Sequence, residues 1–185
     1  MSNIFIIASI LFSMIAISNH QRGVVLGIVL TLIAFASPAL SFSTFNFFNP
    51  CFFYFSNTVM FLYIIIQLLK TIFYTKKVNS HIILASLCIY FMIAMVWAMI
   101  SGLIEWFIPG SYNFMMGTDI KKNLGNLMYF SMVTLTTLGF GDMLPLSMPA
   151  RTFTAMEALT GQLYLTVLVA RLVSLHSKET PSSEQ

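Results

Sequence analysis

Charge is what this chain has least of. Of 185 residues only 8% are charged, whereas 58% are hydrophobic. A soluble domain carries about a quarter charged residues, so this sequence cannot clothe a water-facing surface. It reads as a polytopic membrane protein with no room for a separate soluble domain. Cysteine is nearly absent too: Cys51 and Cys88 both sit in apolar stretches. That excludes a disulfide framework and leaves the pair as small buried apolar side chains. No nucleophile–base pair, phosphate-binding loop or metal cluster occurs, which excludes an enzyme reading and a resident cofactor. His20, His81 and His176 are scattered at the edges of apolar runs, where they face water. A net charge of +3 is no argument for nucleic acid; the basic residues mark membrane topology instead. No apolar run carries Arg or Lys at every third position, so a voltage-sensing helix is excluded.

What the chain does have is apolar length. About five runs are long enough to cross a bilayer, near residues 3–18, 23–40, 51–74, 81–108 and 152–175. The first two are close to the lower limit of about 17 residues. No Lys or Arg precedes the first run and no small-x-small cleavage site follows it, so it reads as a retained helix. Between the last two runs, residues 124–136 form an amphipathic piece too short to cross. The tail from Ser177, with Lys178, Glu179 and Pro181, is polar and expected to be disordered. If the spans alternate, Arg22, then Lys70, Lys76 and Lys77, then Arg171, His176 and Lys178 share one face. The positive-inside rule makes that face cytoplasmic. Residues 41–50 then face outward, with Phe42, Phe45, Phe47 and Phe48 as an aromatic belt. This layout leaves Lys121 and Lys122 outside as a local exception, and the N-terminus is expected outside with no cytoplasmic leader.

The densest signal is the run Thr134-Leu135-Thr136-Thr137-Leu138-Gly139-Phe140-Gly141-Asp142. Its plainest reading is a Thr-rich turn between two helices. That reading requires the glycine spacing, the Thr run and the following Asp to coincide by chance. Thr137 to Gly141 resembles the potassium-channel selectivity filter, T-V-G-Y-G, with two conservative changes. The resemblance implies that carbonyls of Thr137, Leu138, Gly139 and Phe140 replace the water of a potassium ion, with the Thr137 hydroxyl added at the inner end. Carbonyls that all face one axis need alternating left-handed backbone, which Gly139 and Gly141 adopt without a Cβ penalty. Leu138 and Phe140 would then pack behind the filter.

Residues 81–176 as a whole resemble the two-helix pore module of the potassium-channel superfamily, of the small bacterial type. The segment from Tyr129 to Asp142 is similar to that family's pore helix and filter, and Glu157 to Leu165 to its inner helix. Many members carry one more helix than this chain. By this likeness residues 1–78 hold N-terminal spans, 79–176 the pore domain and 177–185 a cytoplasmic tail. Thr136 and Asp142 flank the filter, and the Asp142 carboxylate would accept a bond from Tyr129; an interfacial anchor is the alternative for Tyr129. Phe140 stands where Tyr is commoner and lacks the hydroxyl that holds the filter wall. Gly161 falls at the family's gating hinge, with close helix packing as an equal alternative. Gln162, Leu165 and Val169 follow Gly161 at helical spacing and are candidates for the cavity wall.

Glu157 is an ionisable group inside a span, so it must face protein or water. It is expected to bond Ser131 or Thr134 behind the filter, or to stay protonated. Glu105 and Arg151, near span ends, are expected to be ordinary interface residues. The whole reads as an all-α, tetrameric, multi-pass protein of a bacterial inner membrane. About five spans, a re-entrant pore helix and a filter loop make a passive potassium pore, with the permeating ion as its ligand. Two other readings stay open: a non-selective or sodium-conducting pore, and a non-conducting membrane subunit of pore-like fold.

Overall fold

A computed structural model describes residues 48–74, 80–113 and 124–177. The first two apolar runs, Arg22, the belt residues before Phe48, Lys76, Lys77, Lys121, Lys122 and the tail beyond Ser177 lie outside the described residues. The described part is helical: α1 (Phe48–Tyr74), α2 (Ser80–Phe107), α3 (Leu124–Leu135) and α4 (Met148–Ser177). Three of these, over Pro50–Tyr74, Ile82–Phe107 and Met148–Arg171, are long and apolar enough to cross a membrane. At 12 residues, α3 rises only about 18 Å, against a hydrocarbon core of about 30 Å.

Local chemistry sets the helix ends. Pro50 sits in the first turn of α1, where its missing N–H costs nothing. Pro109 lacks the N–H that would continue α2 and disfavours helical backbone at Ile108, so α2 stops at Phe107. Ser147 caps α4: its Oγ accepts from Ala150 N at 3.3 Å, and its carbonyl accepts from Arg151 N at 3.0 Å. Thr136, expected as the end of the short helix, already lies in the turn beyond α3. Within α1, Ser56, Asn57 and Thr58 bond back to the carbonyls of Phe53 and Tyr54. Such bonds keep side-chain polar groups satisfied inside an apolar run.

The long helices pack with α2 antiparallel to α1 and to α4, whereas α3 runs alongside α4 in the same direction. Met60, Ile64, Leu68 and Ile72 of α1 meet Ile82, Ile89, Met92 and Val96 of α2. Higher up, Tyr54 of α1, Ala98 and Met99 of α2, and Leu127 and Met128 of α3 form a second core. Tyr112, Phe130, Met143 and Ala150 form a third, beneath the loops that flank α3 and α4. One hydrogen bond and one ring contact hold α4 against α2. Tyr164 donates to the Ser86 carbonyl at 2.7 Å, and its ring stacks on Tyr90 at 5.9 Å. At the far end of α4, Arg171 donates to the Phe73 carbonyl at 3.1 Å and lies 5.9 Å from the Phe73 ring centre. The C-terminal ends of α1 and α4 therefore share one side.

Two expectations are corrected. Cys51 and Cys88 are free thiols but only half-buried, because each lies on a helix flank rather than in a core. Glu105 is no interface residue: it is buried, and its two oxygens accept from Gly110 N at 2.8 Å and Tyr112 N at 3.0 Å. It ties the turn after Pro109 back onto α2. Arg151 is exposed, as expected of a span end, and its Nε reaches the Pro145 carbonyl at 3.3 Å.

Candidate functional site

The segment after α3 is built from the helix it leaves. The last carbonyls of α3 have no helical partner of their own, and the chain folds back to supply donors. Thr137 N donates to Thr134 O at 2.9 Å, and Leu138 N to Val133 O at 2.9 Å. Gly139 N reaches the same Val133 oxygen at 3.4 Å. There are no cis peptides among the described residues. A trans peptide sets its C=O opposite its N–H, so the carbonyls of Thr136, Thr137 and Leu138 point away from the end of α3. The backbone alternates in hand: φ is 58° at Thr137, 58° at Gly139 and 79° at Gly141. A Cβ at either glycine would meet open space, so what favours glycine there is backbone conformation rather than crowding. Thr137 holds the same left-handed conformation with a β-branched side chain, which is strained.

At the outer end, Asp142 is fastened on both oxygens. Oδ2 accepts from the Tyr129 hydroxyl at 2.7 Å, and Oδ1 from Met143 N at 3.0 Å. The bond to Asp142 raises the Tyr129 phenol above its ordinary range. A raised phenol keeps its proton, so the bond is complete below the ordinary value of about 10 and is lost only as pH climbs beyond it. The Tyr129 ring also lies parallel to Phe140, 6.5 Å between centres and 7° apart in plane. Within one chain, Leu138 and Phe140 stay 58% and 64% exposed. Any fuller cover for them has to come from outside the described chain.

Behind α3 lies a buried polar bridge. The Ser131 hydroxyl contacts both the Ala94 carbonyl of α2, at 2.6 Å, and Glu157 Oε1 of α4. Ser131 and Glu157 are almost fully buried, and Glu157 Oε2 has no hydrogen-bond partner among the described residues. Of the two hydroxyls expected for Glu157, Ser131 is therefore the one it meets. This one side chain links the two long helices through the short one.

The inner end rests on α4. Gly161 is buried against the Leu135 carbonyl, and a Cβ there would collide with that oxygen. Tyr90 of α2 donates its hydroxyl to the same carbonyl at 3.1 Å. Next to Gly161, Gln162 Nε2 stands 3.5 Å from Thr137 Oγ1. Gln162, Leu165 and Val169 are all exposed in the single chain. The Glu105 clasp, the Tyr90 and Tyr164 bonds and the left-handed Thr137 were not anticipated from sequence. Of these only Glu105 had a signal, a carboxylate four residues before Pro109-Gly110.

Neither a curated protein nor a solved structure matches the chain. The model of the ion channel family matches residues 4–178, nearly its whole length. Three apolar spans, a short helix between two of them and a glycine-alternating segment fit that match. The chain belongs to the ion channel family, a pore-loop family of potassium-channel type, and is a multi-pass membrane protein of passive ion conduction rather than an enzyme.

Proposed function

We propose that the chain is a potassium channel, with four copies around a common pore in a bacterial inner membrane. The observation that carries this reading is the alternating backbone at Thr137, Gly139 and Gly141, with the preceding amides turned back onto α3. Such a segment frees successive carbonyls to line one axis. One chain supplies one segment, and four are needed to surround a dehydrated ion with oxygen. Carbonyls of Thr137, Leu138, Gly139 and Phe140, with the Thr137 hydroxyl, form the ion sites. Gly141 turns the chain at the outer mouth, where Asp142 and Tyr129 brace it. Glu157, through Ser131, braces it from behind, and Thr136 links it to α3. Leu165 and Val169 line the cavity below. The C-terminal end of α3 adds a partial negative charge that favours a cation there. Assembly through α4 is supported by its exposure: only 11% of its apolar span is buried within the chain, against 44% for α2.

Flux from proteoliposomes tests the reading. Potassium and rubidium should leave loaded vesicles while sodium is retained. Equal sodium flux would replace this reading with a non-selective or sodium-conducting pore. No flux from correctly inserted protein would replace it with a non-conducting subunit.

A further inference from the structure

We infer that Gln162 is a positioning residue for Thr137 and, through it, a determinant of ion selectivity at the inner end of the filter. This rests on the filter reading above. Thr137 is the one non-glycine residue with a positive φ among the described residues. Strained backbone of that kind persists only where its surroundings over-determine it. The surroundings come from two elements. On the α3 side, the Thr137 N–H is bound to Thr134 O at 2.9 Å. On the α4 side, the Gln162 amide stands 3.5 Å from the Thr137 hydroxyl oxygen.

The approach is made possible by the residue before it. Gly161 presents no side chain, so α4 comes up against the Leu135 carbonyl at the base of the segment. Tyr90 holds that same carbonyl from α2. Gln162 is thus carried to the filter's inner end by backbone packing, not by a flexible reach of its own. A hydroxyl has one proton and two lone pairs, and where its oxygen stands is set by the side-chain rotamer. An amide N–H donated to one lone pair favours the rotamer that keeps the Thr137 oxygen beside Gln162. An oxygen held in one rotamer suits one ion size; a side chain free to change rotamer adjusts to a smaller ion or to water. At 3.5 Å the bond is long and weak. Its loss should therefore tune selectivity and leave the fold in place, as an exposed side chain allows.

A double-mutant cycle tests this with the purified channel in liposomes. The variants are Gln162→Leu, Thr137→Cys and the pair, because a thiol is only a weak acceptor. Two quantities are read: the potassium-to-sodium flux ratio, and the rise in unfolding temperature that potassium gives over sodium. The second is readable even in a variant that carries no flux. Gln162→Leu should lower the flux ratio about twofold, the low end of what one net hydrogen bond is worth, and shrink the potassium-specific stabilisation. In the Thr137→Cys background it should change neither. A selective wild type with an unaltered Gln162→Leu ratio overturns the inference alone. An equal loss in both backgrounds also overturns it, because Gln162 would then act without Thr137. A wild type without selectivity overturns the filter reading, and this inference with it.

Discussion

At the residue scale, two glycines do different work. Gly139 has open space where a Cβ would stand, yet its φ is 58°. Alanine there meets no clash but pays about 1–2 kcal/mol of left-handed strain in every chain. Gly139→Ala should insert and assemble but lose potassium-selective flux; undiminished selective flux would remove the filter assignment. Gly161 is the reverse case, with ordinary helical backbone and no room, since its Cβ would strike the Leu135 carbonyl. Gly161→Ala should cost about 1–3 kcal/mol of overpacking, seen as a lower unfolding temperature together with reduced flux. A hinge with no packing role would change flux and leave the unfolding temperature alone. The sequence held these two as a filter glycine and as an undecided hinge, because composition shows that a side chain is absent but not what lies opposite. The Glu157–Ser131 contact was legible, since a carboxylate inside an apolar span needs a nearby hydroxyl; the Tyr129–Asp142 contact was implied only by the likeness to the channel family. Glu105 was not. Its place before Pro109-Gly110 was a signal, but which amides it accepts from depends on how the chain turns after Pro109.

At the element scale, the three long helices were legible from apolar run length, with ends displaced by a few residues. Run length cannot see a cap such as Ser147 or a backbone that turns at Thr136. Their relative direction follows from side-chain contacts: Arg171 of α4 reaches Phe73 of α1, and Tyr164 of α4 reaches Ser86 of α2. The C-terminal parts of α1 and α4, which carry Lys70 and Arg171, therefore lie on one side, which the positive-inside rule assigns to the cytoplasm. Single cysteines at Tyr74 and Ser174, in a background without Cys51 and Cys88, should resist an impermeant thiol reagent added outside intact cells. A cysteine at Phe107 should react. Outside labelling at Tyr74 would reverse the orientation or change the number of spans before α1.

At the scale of the whole molecule, the proposed pore needs four chains around one axis. The family match shows an ion channel, and the short α3 and the alternating segment support the proposed conduction path. In that proposal, selectivity depends on oxygen positions set largely by backbone. Phe140 does not alter that principle. It stacks on Tyr129 instead of bonding through a hydroxyl, so the wall behind the carbonyls is held by ring contact and by the Tyr129–Asp142 bond. The most direct test is the reversal potential of purified protein in a planar bilayer, with potassium on one side and equal sodium on the other. The account predicts a current that reverses far from zero, at a voltage opposing potassium flow. Reversal at zero would contradict it, because a pore that treats the two ions alike does not select through its carbonyls.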